Sequence, residues 1–392
     1  MFVFFYVCIR DEEGKMEFTN FSFIVTDDCN FNCSYCLQKK EKKYIEYSNI
    51  KTAVDFFYPF LKGEKIYIVF YGGEPLLAYD KIEYAVHLLQ EKNKTGNKNI
   101  EFLLTTNGSL ITDEMLDFFY RQRFGLMLSF DGLNQDKGRK KGTLEQMVQV
   151  LERVRAYPGM DFEINNVLTP GTINNLTESM RFMIELDRWE MKFDFATEKE
   201  WTPLDLEAVK TELKRLSDFL LSYYQEKGTI PVKNFQAPGT LEEADAAKEM
   251  KRGIFRCNAG KGRMALTPEG KLWGCYVFHD YFKTRENHPG YADYYFGTLA
   301  EFIDNHHTRY PEILANYREL RQDFFQVRKA DGEKKDFCFL CPGLEVCGVC
   351  PLNIAYSTES LGVIPCWTCE LKKIQREAQR AFHEQLQSLG SR

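Results

Sequence analysis

Phe21-Ser22-Phe23-Ile24-Val25-Thr26-Asp27-Asp28-Cys29-Asn30-Phe31-Asn32-Cys33-Ser34-Tyr35-Cys36 joins an apolar, strand-like run to three thiols at CX3CX2C spacing. A four-iron cube normally takes four protein thiolates, so a compact three-thiol loop leaves one iron available to a small molecule. Structural zinc prefers four closed ligands, and no fourth Cys or His lies near this loop. A disulfide framework belongs to small secreted domains. The Met1 to Ile9 stretch is too short for a signal peptide and lacks its layout. Cys29, Cys33 and Cys36 therefore read as ligands of a [4Fe-4S] cluster.

The 392 residues, 44% of them hydrophobic, suffice for one large domain and a smaller one. No apolar run reaches membrane-spanning length. A formal net charge of −6 argues against a nucleic-acid binder, whose phosphate contacts show as a basic surplus. Twelve cysteines without an export signal point to metal or redox chemistry in the cytoplasm, where thiols stay reduced.

Strand-like runs alternate with helical periodicity from Phe21 onward. Phe21–Val25 precedes a helix over Ile50–Leu61, Lys65–Phe70 precedes Asp80–Glu91, and Ile100–Thr105 precedes Asp113–Arg121. Gly125–Phe130 precedes Thr143–Arg155, Phe162–Leu168 precedes Asn174–Leu186, and Met191–Ala196 precedes Leu206–Gln225. Six βα units predict an α/β fold, a parallel sheet curved into a partial (β/α)6 barrel, with its site at the carboxyl ends of the strands. The expected organisation is an N-terminal extension over 1–17, the barrel over 18–227, a Gly, Pro and Ala-rich linker over 228–255, a Cys-rich domain over 256–371 and a terminal helix over 372–392. Met16 is an alternative start to Met1.

Candidate site residues fall at those strand ends. In Tyr71-Gly72-Gly73-Glu74-Pro75 the glycines allow close backbone approach and Glu74 suits an ammonium group. Thr106-Asn107, Ser129, Asp131 and Asn165 bring hydroxyl, amide and carboxylate groups to the same rim, suited to a ribose and an amino acid moiety. Farther on come Cys257, Gly270 and Cys275 as CX12GX4C, then Cys338, Cys341, Cys347 and Cys350 as CX2CX5CX2C, then Cys366 and Cys369. Spacing alone permits two further clusters or a pair of zinc ribbons. The basic run at Lys137, Arg139, Lys140 and Lys141 reads as a solvated loop able to meet an acidic leader or a carboxylate.

The CX3CXφC loop, with Tyr35 as its aromatic, followed by GGEP, resembles the radical SAM superfamily. The later cysteines resemble its SPASM extension. The resemblance implies that Cys29, Cys33 and Cys36 hold a cluster whose open iron binds S-adenosylmethionine. Gly72, Gly73 and Glu74 would hold the methionine amine, with Tyr35, Pro75, Thr106, Asn107, Ser129, Asp131 and Asn165 around the cofactor. Reductive cleavage would give a 5′-deoxyadenosyl radical that removes a hydrogen atom from the substrate. Two auxiliary [4Fe-4S] clusters would use Cys257, Cys275 and Cys350, and Cys338, Cys341, Cys347 and a tail thiol. The pattern departs at Cys347–Cys350, two residues apart rather than three, and offers both Cys366 and Cys369 for one place.

The implied activity is peptide or protein maturation by thioether or carbon-carbon crosslinking, or oxidation. Sulfatase maturation to formylglycine and small-molecule dehydrogenation are the enzymatic alternatives. An iron-sulfur or zinc scaffold is the non-enzymatic one. Sulfatase-maturing enzymes carry an Asp directly after the cysteine corresponding to Cys275, where this chain has Tyr276. His279 and Asp280 follow as substitute bases, residues that in a polar loop are more often solvated. The implied partners are a peptide or protein substrate, a flavodoxin- or ferredoxin-type reductant and a separate leader-binding protein, with neither nucleic acid nor membrane.

Overall fold

A computed structural model describes residues 15–186, 190–236, 259–319, 326–328, 334–337, 349–361 and 363–390. Along the first half the chain alternates strand and helix: β1 Phe18–Thr26, α1 Tyr47–Phe57, β2 Ile66–Gly72, α2 Tyr79–Gly96, β3 Ile100–Thr106 and α3 Asp113–Arg121. Then follow β4 Gly125–Ser129, the single turn α4 Gln135–Gly138, α5 Leu144–Val154, β5 Asp161–Leu168, α6 Leu176–Leu186, β6 Glu190–Phe195 and α7 Pro203–Lys227. The expected α/β fold with a parallel sheet core is what the chain forms. β1 to β6 pair in chain order, all parallel.

The register explains the sidedness of the sheet. Phe21, Phe23, Ile68, Phe70, Phe102, Leu104, Leu126, Leu128, Phe162 and Ile164 share one face across neighbouring strands and are buried there beneath the helices. The helices answer with matching stripes: α1 buries Ile50, Ala53, Val54 and Phe57, and α5 buries Met147, Val150, Leu151 and Val154, each at i, i+3, i+4, i+7 spacing. The other face is more polar and half open, carrying Tyr71, Thr105, Ser129 and Asn165 at the carboxyl ends.

Beyond residue 258 come β7 Gly262–Leu266, β8 Lys271–Trp273, α8 Tyr276–Phe282, α9 Tyr291–Tyr294, β9 Tyr295–Thr298 and α10 Leu299–Glu319. The last described elements are β10 Gln326–Arg328, β11 Lys334–Phe337, α11 Pro351–Thr358, β12 Val363–Pro365 and α12 Cys366–Gly390. β7 pairs in parallel with the free side of β1, and β8 and β9 extend it antiparallel, so one nine-stranded sheet crosses the expected linker. The final helix starts at Cys366, earlier than its charged periodicity suggests, and puts Cys366 and Cys369 in its first turn. Among the described residues no helix is long and apolar enough to cross a membrane.

Candidate active site

β1 and β2 end side by side, and the glycine pair is what lets them do so. Gly73 N–H donates to the Thr26 carbonyl (3.0 Å) and Glu74 N–H to that of Asp28 (2.8 Å). A Cβ at Gly72 (φ +151°) would stand 2.1 Å from the Thr26 carbonyl oxygen, and one at Gly73 2.2 Å from that of Asp28. Both obstacles are backbone, so neither can swing away. Gly72→Ala is expected to lower stability by about 3 kcal/mol in urea unfolding; a loss below about 1 kcal/mol would mean the strand ends can separate cheaply.

The thiol loop is fastened from every side by its neighbours. Asp27, buried, lies 3.0 Å from His279 Nε2 and 2.8 Å from Lys283 Nζ on the far side of the sheet order. Burial pushes its carboxyl up, but the His279 hydrogen bond and charge and the Lys283 ammonium outweigh this and hold it below the usual range. Asn107 Nδ2 donates to Asn30 Oδ1 and Asn30 Nδ2 to Ser109 Oγ, both at 2.8 Å. Ser34 N–H donates to the Gly138 carbonyl in α4 (2.8 Å).

Cys29, Cys33 and Cys36 all face one cavity of about 340 Å³. Burial pushes all three thiols up, Cys29 to about 11. A bound metal reverses that preference by replacing the proton. Among the described residues no three His, Cys, Asp or Glu side chains converge on one point as ligands of a single ion do. A cube spreads its thiolates over separate irons, so three thiols around one cavity are compatible with the cluster expected from sequence.

Of the residues expected around the cofactor, Tyr35, Gly72, Gly73, Thr106, Asn107 and Ser129 line this cavity. Glu74, Pro75, Asp131 and Asn165 are not among its lining residues. Glu74, 1% exposed, turns inward: Oε1 accepts from Leu76 N–H (3.0 Å) and Thr106 Oγ1 (2.7 Å), and Oε2 from Asn107 N–H (2.7 Å). Its carboxylate laces β2 to β3. Pro75 opens the buried 3-10 turn that follows. Asp131, fully buried, accepts from Tyr35 Oη (2.7 Å), Val167 N–H (3.0 Å) and Arg139 Nη2 (3.0 Å). Asn165 Oδ1 is buried without a hydrogen-bond partner.

Arg139 corrects the reading of a solvated basic loop. Its side chain is 6% exposed and lies on the cavity wall, 5.3 Å over the Tyr35 ring. Burial works against its charge, and Asp131 outweighs that and keeps it a cation.

The polar-loop reading of His279 and Asp280 is corrected too, because Tyr276–Phe282 is helical and both residues are buried. His279 turns away to Asp27. Tyr276 and Asp280, four apart and so on one face of α8, line the cavity with Asn353 and Tyr356 of α11. Tyr276 stacks on Tyr71 with ring centroids 4.0 Å apart, and Asp280 Oδ2 accepts from Gln38 Nε2 (3.2 Å) and Tyr71 Oη (3.3 Å). Burial pushes the Asp280 carboxyl up to about 6, against the lowering charge of His279. Gln38, Tyr71, Asn353 and Tyr356 were not singled out from sequence; only Tyr71, beside the glycine pair, carried any signal.

Of the second cysteine set, Cys275 immediately precedes α8 and Cys350 immediately precedes α11. Burial, and after it the nearness of these two sulfurs, pushes the Tyr276 phenol up. Arg263 Nη1 approaches Cys275 Sγ at 3.9 Å, a contact suited to a thiolate. Cys366 and Cys369, three apart, share a face of α12. Cys257, Cys338, Cys341 and Cys347 lie outside the described residues.

The Radical SAM superfamily model matches residues 23–183. The uncharacterized protein MJ0907 of Methanocaldococcus jannaschii is 28% identical over 219 residues, 54% of this chain and 73% of its own length. The radical SAM cyclopropyl synthase TigE of Paramaledivibacter caminithermalis is 22% identical over 305 residues, 70% of this chain and 60% of its own length. The structure of native anSMEcpe with bound AdoMet and Cp18Cys peptide aligns with a TM-score of 0.67 at 17% identity, over 95% of this chain and 99% of that one, a likeness of fold.

Proposed function

We propose that this chain, whose residues 23–183 match the Radical SAM superfamily model, is a cytoplasmic radical SAM enzyme that modifies a peptide or protein side chain. The observation that carries the reading is one continuous cavity. Its wall runs from the Cys29, Cys33 and Cys36 thiols, past the Gly72–Gly73 backbone, to Tyr276 and Asp280. The peptide bound in the anSMEcpe structure supports a peptide target.

Cys29, Cys33 and Cys36 would hold the first cluster, with S-adenosylmethionine beside Gly72, Gly73 and Tyr35. Bound there, the pair supplies a 5′-deoxyadenosyl radical that takes a hydrogen atom from an unactivated carbon. The chain's own residues do the rest. Arg139 and Asp131 orient Tyr35, and the Tyr71–Tyr276 stack walls the cavity and limits water. The Asp280 carboxylate, above its pKa at neutral pH, accepts the proton that a substrate side chain sheds on oxidation. Cys257, Cys275, Cys350, Cys338, Cys341, Cys347 and one of Cys366 or Cys369 are the ligands we assign to two auxiliary clusters. Asp280 also favours a second reading, oxidation of Cys or Ser to formylglycine, because one helical turn past Tyr276 restores a carboxylate to the cavity.

The test is anaerobic iron and sulfide loading, then dithionite with S-adenosylmethionine and Cys- or Ser-containing peptides, reading 5′-deoxyadenosine and peptide mass. Release of 5′-deoxyadenosine with a mass change is expected; an iron-loaded chain that releases none overturns the reading. Asp280→Asn should keep 5′-deoxyadenosine release and cut peptide product by about 10²–10⁴-fold. In the unsubstituted chain, product formation should climb as pH rises through about 6, where Asp280 loses its proton.

A further inference from the structure

Asp280 brings to the cavity wall a carboxylate without a counter-ion. It is 8% exposed, and its hydrogen-bond donors, Gln38 Nε2 and Tyr71 Oη, are neutral. Among the described residues the cations of this region are committed elsewhere. His279 and Lys283 both bond Asp27, and Arg139 pairs with Asp131. Arg285 lies over the rings of Tyr281 (4.5 Å) and Tyr356 (5.1 Å) and donates to the Tyr281 carbonyl at 3.0 Å. Lys40 Nζ, on the same cavity wall as Asp280, donates to the Phe31 carbonyl and, at 3.0 Å, to Asn32 Oδ1.

A carboxylate held out of water is destabilising until a cation joins it. The partner groups for such a cation are already in place. Asn353 and Tyr356, three apart on one face of α11, line the same cavity, and Tyr356 Oη is buried without a hydrogen-bond partner. Burial pushes the Tyr356 phenol up and the Asp280 carboxylate adds to it, so the two oxygens are neighbours. A neutral hydroxyl or thiol would occupy the phenol oxygen and leave the charge unanswered. An ammonium or guanidinium has donors for both, and its positive charge matches the carboxylate.

Resting on the peptide reading above, we propose that Asp280 and Tyr356 form the recognition site for a basic side chain, lysine or arginine, of the substrate peptide. The carboxylate supplies the charge and Tyr356 is the positioning residue. Recognition of the charge precedes the proton transfer assigned above to Asp280 and does not replace it.

The probes are acetyl-Gly-Ala-Lys-Ala-Gly-amide and the same peptide with norleucine in place of lysine, each titrated into the iron-loaded chain with S-adenosylmethionine present. The lysine peptide is expected to bind at least about tenfold tighter than the norleucine peptide. Asp280→Asn should erase that preference and Asp280→Glu should restore part of it. Tyr356→Phe should reduce the preference with the urea midpoint unchanged, because its hydroxyl has no partner within the fold. Asp218→Asn, exposed on α7, is the control and should change neither. The proposal falls if the two peptides bind alike, if neither binds, or if Asp280→Asn keeps the preference. Loss of S-adenosylmethionine affinity in Asp280→Asn with the lysine preference intact also overturns it, by putting the cofactor's own cation at Asp280. Absence of 5′-deoxyadenosine release from the unsubstituted chain would instead sink the enzyme reading, and the peptide titrations would still decide the site.

Discussion

Cys33→Ala should yield a chain that folds as before, carries about four fewer irons after reconstitution and releases 5′-deoxyadenosine only at background. The two halves of that expectation have different physical origins. The loop's shape is held by Asn30, Asp27, Ser34 N–H and the Cys33 carbonyl, which accepts from Cys36 N–H at 3.1 Å, and none of these uses the Cys33 sulfur. Thermal unfolding of the metal-free variant should therefore match that of the metal-free parent. The sulfur matters for ligation alone: with two thiols left, the loop cannot hold three corners of a cube. Iron content and Tm measured on the same preparations separate the outcomes. Full iron with undiminished release would show that this loop is not the ligand set.

Arg139→Leu should cost about 3–5 kcal/mol of stability, because it strands the Asp131 carboxylate, whose side chain is 1% exposed, without its cation. Tyr35 Oη and Val167 N–H would remain as its donors, but neither brings charge. Asp131→Asn/Arg139→Leu should recover more than half of the loss, since removing both charges of a buried pair is far milder than removing one. Urea midpoints of the three variants decide the matter. A single-variant cost below about 1 kcal/mol would mean that the guanidinium is hydrated after all.

The six βα units were legible because each strand needs only alternation and each helix only a stripe. Ile66, Ile68 and Phe70 face the helices while Tyr67, Val69 and Tyr71 face the other way, and that periodicity stands in the chain itself. The burial of Arg139 and Asp280 was not legible, because nothing local buries them. Arg139 is drawn in by a carboxylate eight positions earlier and an aromatic ring from another loop. Asp280 meets Gln38 and Tyr71, each more than 200 positions away. The ties of Glu74 to Thr106 and Asn107, more than thirty positions away, could not be read from the GGEP motif itself. β7 to β9 went unseen because strands of three to five residues carry too little pattern to read.

The pairing of β7 with β1 has a consequence for biosynthesis. β1 leaves the ribosome well before β7, so its second edge stays open until residues 262–266 appear. At ordinary translation rates that interval lasts on the order of 10–50 s. Throughout it the nascent chain displays an unpaired strand running straight into three reduced thiols, so chaperone cover and iron loading compete with air oxidation and edge-to-edge aggregation. Slowing translation between β1 and β7 should therefore lower the yield of folded protein with reduced thiols in aerated cells more than in anaerobic ones.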